Sequence, residues 1–324
     1  MIRIISGAGF MGGSTVAFIN LVNLLNKNGH DAIFYTPHDW VKGQCRSEKI
    51  EGTFVDDYFD TPRQAQLVLK DYNFLNDVME DGDTLICHLL PLIPEDLDVD
   101  RELPKFFDTS KLNKVIYACH ETDIYPVTNI NPEKFDLIHY VSEFQRDWHD
   151  YKEVPSVVIP NVMSPLEKRK KTIPYEKVGG IIGTIGRGKQ THVAIQAALD
   201  DGCDKVLVFG NVDVGSSNEK SNAYLKAQEY WDTHMAPLCG KSLKFITNSH
   251  VELLGSCDDK SLMYSDLDVV YHASPRESFN YIEKECALLG IKYVHVDNND
   301  DYTPPTLASD KEILAMWEKI LVKK

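Results

Sequence analysis

Four side chains in the C-terminal half stand at spacings suited to phosphate and hydroxyl chemistry: Arg187, Lys189, Glu277 and Glu285. The two carboxylates are eight residues apart in the run SPRESFNYIEKECALLG, and at 100° per residue eight steps end about 80° past two full turns. A helix beginning near Ser278 therefore carries both toward one side. Glu277 then sits at the positive end, beside the N–H groups of Ser278, Phe279 and Asn280, and Glu285 lies two turns along. Such an end holds a phosphate or sugar through backbone donors while the carboxylates accept hydrogen bonds from hydroxyls. Glutamate pairs on helices are common, so from spacing alone an ordinary solvated pair is the competing account.

Two glycine-rich loops add to this set. IIGTIGRGKQ places Arg187 and Lys189 beside Gly183, Thr184, Gly186 and Gly188. Glycines bare backbone donors, arginine offers a planar fork and lysine a point charge, which together suit a diphosphate leaving group. The loop is not a P-loop, since G-x-x-x-x-G-K-[ST] is absent, and a plain surface basic pair competes with the phosphate reading. Near the N-terminus, Gly7-x-Gly9-x-x-Gly12 has the letters of a dinucleotide fingerprint. A nicotinamide enzyme also needs an acidic residue ending the second strand, where Phe34-Tyr35-Thr36-Pro37 stands instead, and no tyrosine has a lysine four residues on. What is left at Gly12 and Gly13 is a loop able to approach a phosphate or sugar, or simply a tight turn packing helix on strand.

These residues need a frame, and the chain supplies two of the same kind. Residues 2–6 are an apolar run, the glycine loop follows, and residues 15–28 repeat apolar positions at helical spacing before Asn28-Gly29 ends them. Strand-like segments recur at 31–36, 84–88, 115–118, 137–141 and 157–159. Residues 163–178, with two prolines and the basic run 168–171, read as a linker whose charges are solvated. The pattern then restarts: strand at 179–182, glycine loop, helix at 192–199. Further strands follow at 205–209, 243–246, 251–254, 269–272 and 293–296, with a helix over 278–289. The expected fold class is α/β, two facing Rossmann-like doubly wound domains with a cleft between them, at residues 1–166 and 167–324.

Bulk properties bound the partners. The chain of 324 residues is 43 % apolar and 26 % charged, the balance of a folded soluble protein of about two domains. The net charge of −15 is uneven: residues 1–166 hold 14 Lys/Arg against 26 Asp/Glu, or −12, and residues 167–324 hold 20 against 23, or −3. The acidic half disfavours nucleic acid and anionic lipid and suits a neutral or small acceptor. Seven scattered cysteines without a C-x-x-C pair suggest reduced thiols, and no window resembles a membrane span or signal peptide, so the expected location is cytoplasmic.

HASPRESFNYIEKECALLG resembles the E-x7-E segment of retaining GT-B glycosyltransferases of family 4. Ser274, Glu277, Phe279, Glu285, Ala287 and Gly290 fall in register, with Ser278 and Asn280 in place of glycines. GGSTVAFINLVNLLNKNGHDAIFY, IYACHE, LIHYVSEFQRDW, VVIPNV and VELLGSCDDKSLMYSDLDVVYHAS resemble other family segments, so the likeness spans roughly residues 1–297. It implies a retaining glycosyltransferase that moves a sugar from a nucleotide-diphosphate sugar to a saccharide or other hydroxyl-bearing acceptor. It implies that Glu277 contacts hydroxyls of the transferred sugar with donors at 278–280, that Glu285 binds the ribose, and that Lys189 binds the diphosphate. Thr184 stands where the family has an arginine, and Arg187 is the neighbouring substitute. His120 matches the histidine near the reacting sugar, and the strand with Val251 and Leu253 matches the one lying against the base. His88, ending another strand, is a weaker candidate facing the cleft. The pairs Asp96/Asp98 and Asp266/Asp268 imitate a D-x-D metal motif without its context, so no metal and no cofactor beyond the donor are expected. Alternatives are a sugar-nucleotide epimerase of the same fold and a non-catalytic sugar-nucleotide-binding protein, the latter suggested by Thr184 and by the 34 residues after Gly290.

Overall fold

The computed structural model describes residues 1–6, 13–35, 79–88, 109–120, 135–149, 153–212, 222–239, 250–255, 257, 259–275, 277–296 and 307–322. Gly12, Asp96, Asp98 and the strand expected at 243–246 lie outside them. The chain divides into two compact units, Met1–Ser164 with Thr303–Lys324, and Pro165–Tyr302.

In the first unit, β1 (Ile2–Ser6), β2 (Ala32–Tyr35), β3 (Thr84–His88), β4 (Lys114–Cys119), β5 (Leu137–Tyr140) and β6 (Ser156–Val158) form one sheet, in the order β2-β1-β3-β4-β5-β6. All of these pairings are parallel. Every residue of β1 and β3 is buried, as expected for parallel strands covered on both faces. Helix α1 (Gly13–Lys27) turns Phe18, Leu21, Val22 and Leu25 into the core with Ile4, Phe34, Ile86 and Ile116. Arg3 is the charged residue inside β1. Its Nε donates to Asp83 at 2.5 Å and its Nη1 to the Tyr35 hydroxyl at 3.0 Å, and the terminal ammonium of Met1 lies 3.0 Å from Asp83. Burial pushes the Asp83 carboxyl up, but the Arg3 hydrogen bond and charge outweigh it and hold the group below its usual range. A short helix, α2 (Glu143–His149), follows β5.

The second unit repeats the scheme. β7 (Val178–Ile182), β8 (Lys205–Phe209), β9 (Val251–Gly255), β10 (Val269–His272) and β11 (Lys292–His295) make an all-parallel sheet in the order β11-β10-β7-β8-β9. Helices α3 (Thr191–Asp200), α4 (Asn222–Tyr230), α5 (Ala236–Cys239), α6 (Lys260–Ser265) and α7 (Tyr281–Leu289) accompany it. A π-helical turn, Trp231–Met235, joins α4 to α5 and buries Trp231 completely.

Two expectations change. The helix anticipated from Ser278 begins at Tyr281, because the Asn280 side chain caps it by accepting from the Glu283 N–H at 3.2 Å. The second domain expected at 167–324 loses its tail. Residues after 302 belong to the first unit, where helix α8 (Asp310–Leu321) starts in a Ser309/Glu312 capping box and inserts Ile313 and Trp317 into that core. His30 reaches Glu318 at 3.1 Å, and Lys114 donates to the Ile320 carbonyl.

Candidate functional site

The site builds up at the carboxyl end of the second sheet. β7 leads into Gly183, whose φ of +124° is left-handed territory, and then through Thr184 and Ile185 to a 3-10 turn at Arg187–Lys189. The turn's shape is set from behind. Gly210, at φ +148°, lets β8 pass so close that a Cβ there would lie 1.9 Å from the Gly183 carbonyl oxygen. Ile185 is tied by its N–H to Asn211 at 2.9 Å. Arg187 and Thr184 are exposed, and the Arg187 side chain makes no hydrogen bond or ion pair among the described residues, while its carbonyl accepts from the Gln190 N–H at 3.2 Å. Lys189 does: its Nζ lies 2.5 Å from Glu277 Oε1.

Glu277 is not on a helix with Glu285. It sits in the loop between β10 and α7, so the helical-face argument for the pair fails, because the Asn280 cap delays the helix by three residues. The loop nonetheless holds Glu277 firmly. His272, the last residue of β10, directs Nε2 to the same Oε1 at 3.1 Å, and His272 is only 6 % exposed. A carboxylate is acceptor-only, so Nε2 carries the proton in this bond. Burial pushes the Glu277 carboxyl up, but the His272 hydrogen bond and the Lys189 charge reverse this and hold it at about 2. Oε2 accepts no hydrogen bond among the described residues.

Glu285, 2 % exposed on α7, accepts one hydrogen bond at each oxygen. Tyr264 donates its hydroxyl to Oε2 at 2.6 Å and Lys260 donates to Oε1. Burial and the Glu285 charge push the Tyr264 phenol far up, so it stays a donor. The Lys260 ammonium also lies 5.4 Å from the centre of the Tyr281 ring, whose buried hydroxyl has no hydrogen-bond partner among the described residues. Asn280 donates from Nδ2 to the Tyr293 hydroxyl at 2.6 Å, Phe279 packs against Tyr281 with ring centres 4.9 Å apart, and Ser278 stands between Glu277 and Phe279. Val251 is 1 % exposed, its side chain committed to the core, and Leu253 packs half-buried on the same core.

His120 lies in the other unit, just past β4, and is 8 % exposed. Its ring meets Phe18 at 4.8 Å, His88 at 5.3 Å and His139 at 6.0 Å. Burial first, then the neighbouring His88 and His139, push His120 far below the usual imidazole range, and burial pushes His139 down to about 4. Burial therefore keeps both rings in the neutral form. His88 contacts the Ser6 hydroxyl at 2.9 Å. Gly13 opens α1.

His272 and Lys260 are the residues that sequence reasoning missed. His272 ends a strand five residues before Glu277, which is a readable signal, whereas Lys260 meets Glu285 only through the packing of α6 on α7. The D-x-D imitation at Asp266 and Asp268 is spent on structure. Asp266 accepts from the Thr172 N–H at 2.6 Å, and Asp268 holds Lys171 at 2.5 Å and the Val178 N–H at 2.8 Å. Arg169 pairs with Asp259 at 2.9 Å, so the basic linker run is partly neutralised in place. Among the described residues no group of three His, Cys, Asp or Glu is arranged to hold a metal ion.

No family model matches the sequence, and no curated protein matches it. Solved structures do match. Sucrose-phosphate synthase from Thermosynechococcus elongatus aligns with a TM-score of 0.59 at 13 % identity, over 99 % of this chain and 89 % of that one. Anabaena HepE in complex with UDP and glucose aligns with a TM-score of 0.56 at 15 % identity, over 90 % and 79 %. Trehalose-6-phosphate synthase OtsA aligns with a TM-score of 0.53 at 11 % identity, over 88 % and 80 %. The fold is that of the GT-B glycosyltransferases. Its two parallel sheets and their flanking helices are the α/β architecture expected of the sequence.

Proposed function

We propose that the protein is a glycosyltransferase that moves a sugar from a nucleotide-diphosphate sugar to an acceptor hydroxyl with retention of anomeric configuration. The observation that carries this reading is the convergence of Lys189 and His272 on one oxygen of Glu277, at the carboxyl end of a parallel sheet where such folds place ligands. Lys189, Arg187 and the amides of the 183–189 loop would stabilise the departing diphosphate, which is where negative charge grows as the glycosidic bond breaks. Glu277 Oε2 would accept a hydrogen bond from a hydroxyl of the transferred sugar. Glu285, with Tyr264 and Lys260 around it, would hold the ribose. His120, neutral and at a strand end of the first unit, would face the acceptor side as a hydrogen-bond acceptor. Retention rests on the E-x7-E likeness alone and is read directly from the anomeric proton coupling of the product. No metal or further cofactor is invoked, and the cytoplasm is the proposed location.

The similar HepE structure is a complex with UDP and glucose, so UDP-glucose heads the donors to test, followed by ADP- and GDP-sugars. The expected result is that one sugar nucleotide raises the melting temperature and is consumed with a hydroxyl acceptor. Glu277→Ala should keep the fold and lower transfer by about a hundredfold or more, the scale for losing a group that acts in the transition state. Undiminished turnover in that variant would sink the assignment. One observation favours a second reading, a donor-binding protein without transfer: the diphosphate loop presents exposed Thr184 where the resemblance expects arginine. Tight donor binding with neither transfer nor hydrolysis, under any acceptor tried, would select it.

A further inference from the structure

Glu277 has two partners on one oxygen, and the donor reading above needs one of them elsewhere. Lys189 is 41 % exposed and rests 2.5 Å from Oε1, yet in that reading its ammonium serves a diphosphate. A diphosphate carries more charge than a carboxylate and draws the ammonium toward itself. A carboxylate with 17 % side-chain exposure would then lose the partner that fixes it. His272 is placed to prevent this. It is 6 % exposed, anchored as the last residue of β10, and its backbone carbonyl accepts from the Val296 N–H at 2.8 Å. Its ring is flanked by His295 and Tyr293, with centres 5.9 and 6.2 Å away, and His295 is itself tied to the Ser274 carbonyl at 3.0 Å. The imidazole therefore cannot follow an incoming ligand, whereas the lysine, on a long exposed stem, can.

We propose that His272 is a positioning residue: it retains Oε1 of Glu277 while Lys189 moves to the diphosphate, so that Oε2 stays aimed at a sugar hydroxyl. This rests on the donor-site reading. It divides the work by ligand part, since Lys189 answers to the phosphates and the His272–Glu277 pair answers only to the sugar. Replacing His272 should thus weaken binding of a sugar nucleotide and leave the free nucleoside diphosphate alone. A merely structural histidine would not make that distinction.

The test is calorimetric titration of the folded full chain with UDP, ADP and GDP and with their glucose conjugates, for wild type, His272→Ala, His272→Gln, Glu277→Ala and the His272→Ala/Glu277→Ala double variant. Circular dichroism and melting temperature would confirm the fold of each. In His272→Ala, affinity for the sugar nucleotide should fall about tenfold or more, the usual scale for a hydrogen bond to a charged group. Affinity for the matching diphosphate should stay within about twofold, inside the scatter of an uncoupled change. His272→Gln, whose amide can donate to Oε1, should recover part of the loss. The double variant should be no weaker than Glu277→Ala, because His272 acts through that carboxylate. Lys189→Met should weaken both ligand classes. Equal binding of the sugar nucleotide by wild type and His272→Ala, or additive losses in the double variant, would overturn the proposal while leaving the donor site standing. Failure of wild type to bind any of the six ligands overturns the donor reading, and the proposal with it.

Discussion

At the residue scale, Glu277 behaves as an ion held ready rather than as an acid. Its carboxyl is drawn from the ordinary 4.5 to about 2, so the folded state prefers the charged form more than the unfolded state does. The stability this adds is complete above about pH 4.5 and drains as pH falls toward about 2, the sense required for a depressed carboxyl. Comparing wild type with Glu277→Gln isolates the effect. The stability gap between them in urea denaturation should be largest near pH 7 and shrink steadily below pH 4.5. A gap constant down to pH 2.5 would contradict the ion-pair account. His120 makes a complementary case. Burial beside His88 and His139 keeps it neutral, so donor binding should be flat between pH 6 and 8 as far as that ring is concerned, and His120→Asn should leave the pH profile of transfer unshifted while lowering its rate.

Among the elements, what could be read in advance followed from burial on both faces. Strands such as β3, β8 and β10 are short, mostly apolar runs because a parallel sheet covered on both faces favours apolar side chains, and their observed limits match the expected ones to the residue. The helix expected from Ser278 starts three residues later, at Tyr281, although its signal is present in the sequence: asparagine at position 280 is a strong helix cap. The partners of the two glutamates were less legible. Lys189 and Glu277 are 88 positions apart and Lys260 and Glu285 are 25 apart, so the contacts exist only once the sheet order is known. The 183–189 loop offers the sharpest test at this scale. Gly210→Ala would drive a Cβ into the Gly183 carbonyl in a left-handed conformation that side chains resist. That variant should melt lower and bind nucleoside diphosphate at least about tenfold more weakly, consistent with disturbing more than one loop donor at once. Unchanged diphosphate binding would remove the loop from the site.

For the whole molecule, the division near residue 165 was legible from the proline-bearing linker and the restarted strand-loop-helix pattern, but the ownership of the last helix was not. Its capping box could be read from Ser309 and Glu312, whereas the choice of core depends on the long-range fit of Ile313 and Trp317 beside Ile4 and Leu25. Trp317 is 2 % exposed and packs against His139 with ring centres 4.7 Å apart and planes tilted by 55°. Trp317→Ala should cost about 3–5 kcal/mol, the scale for emptying a large buried site. The loss should fall on the first unit, read as hydrogen exchange quickening in β1, β3 and β4 while β7, β8 and β10 stay protected. Equal quickening in both sheets would mean the helix is shared.

The return of the chain to its first unit also sets an order of events during synthesis. The strands from β1 to β6 leave the ribosome before the second unit, yet the helix that completes their core is made only after the whole of it. The second unit is continuous in sequence and can close as soon as its own residues are out. The first must wait with an unfilled face, so nascent chains halted before residue 303 should display protected second-unit strands and a protease-sensitive first unit, a state in which exposed apolar surface invites chaperones.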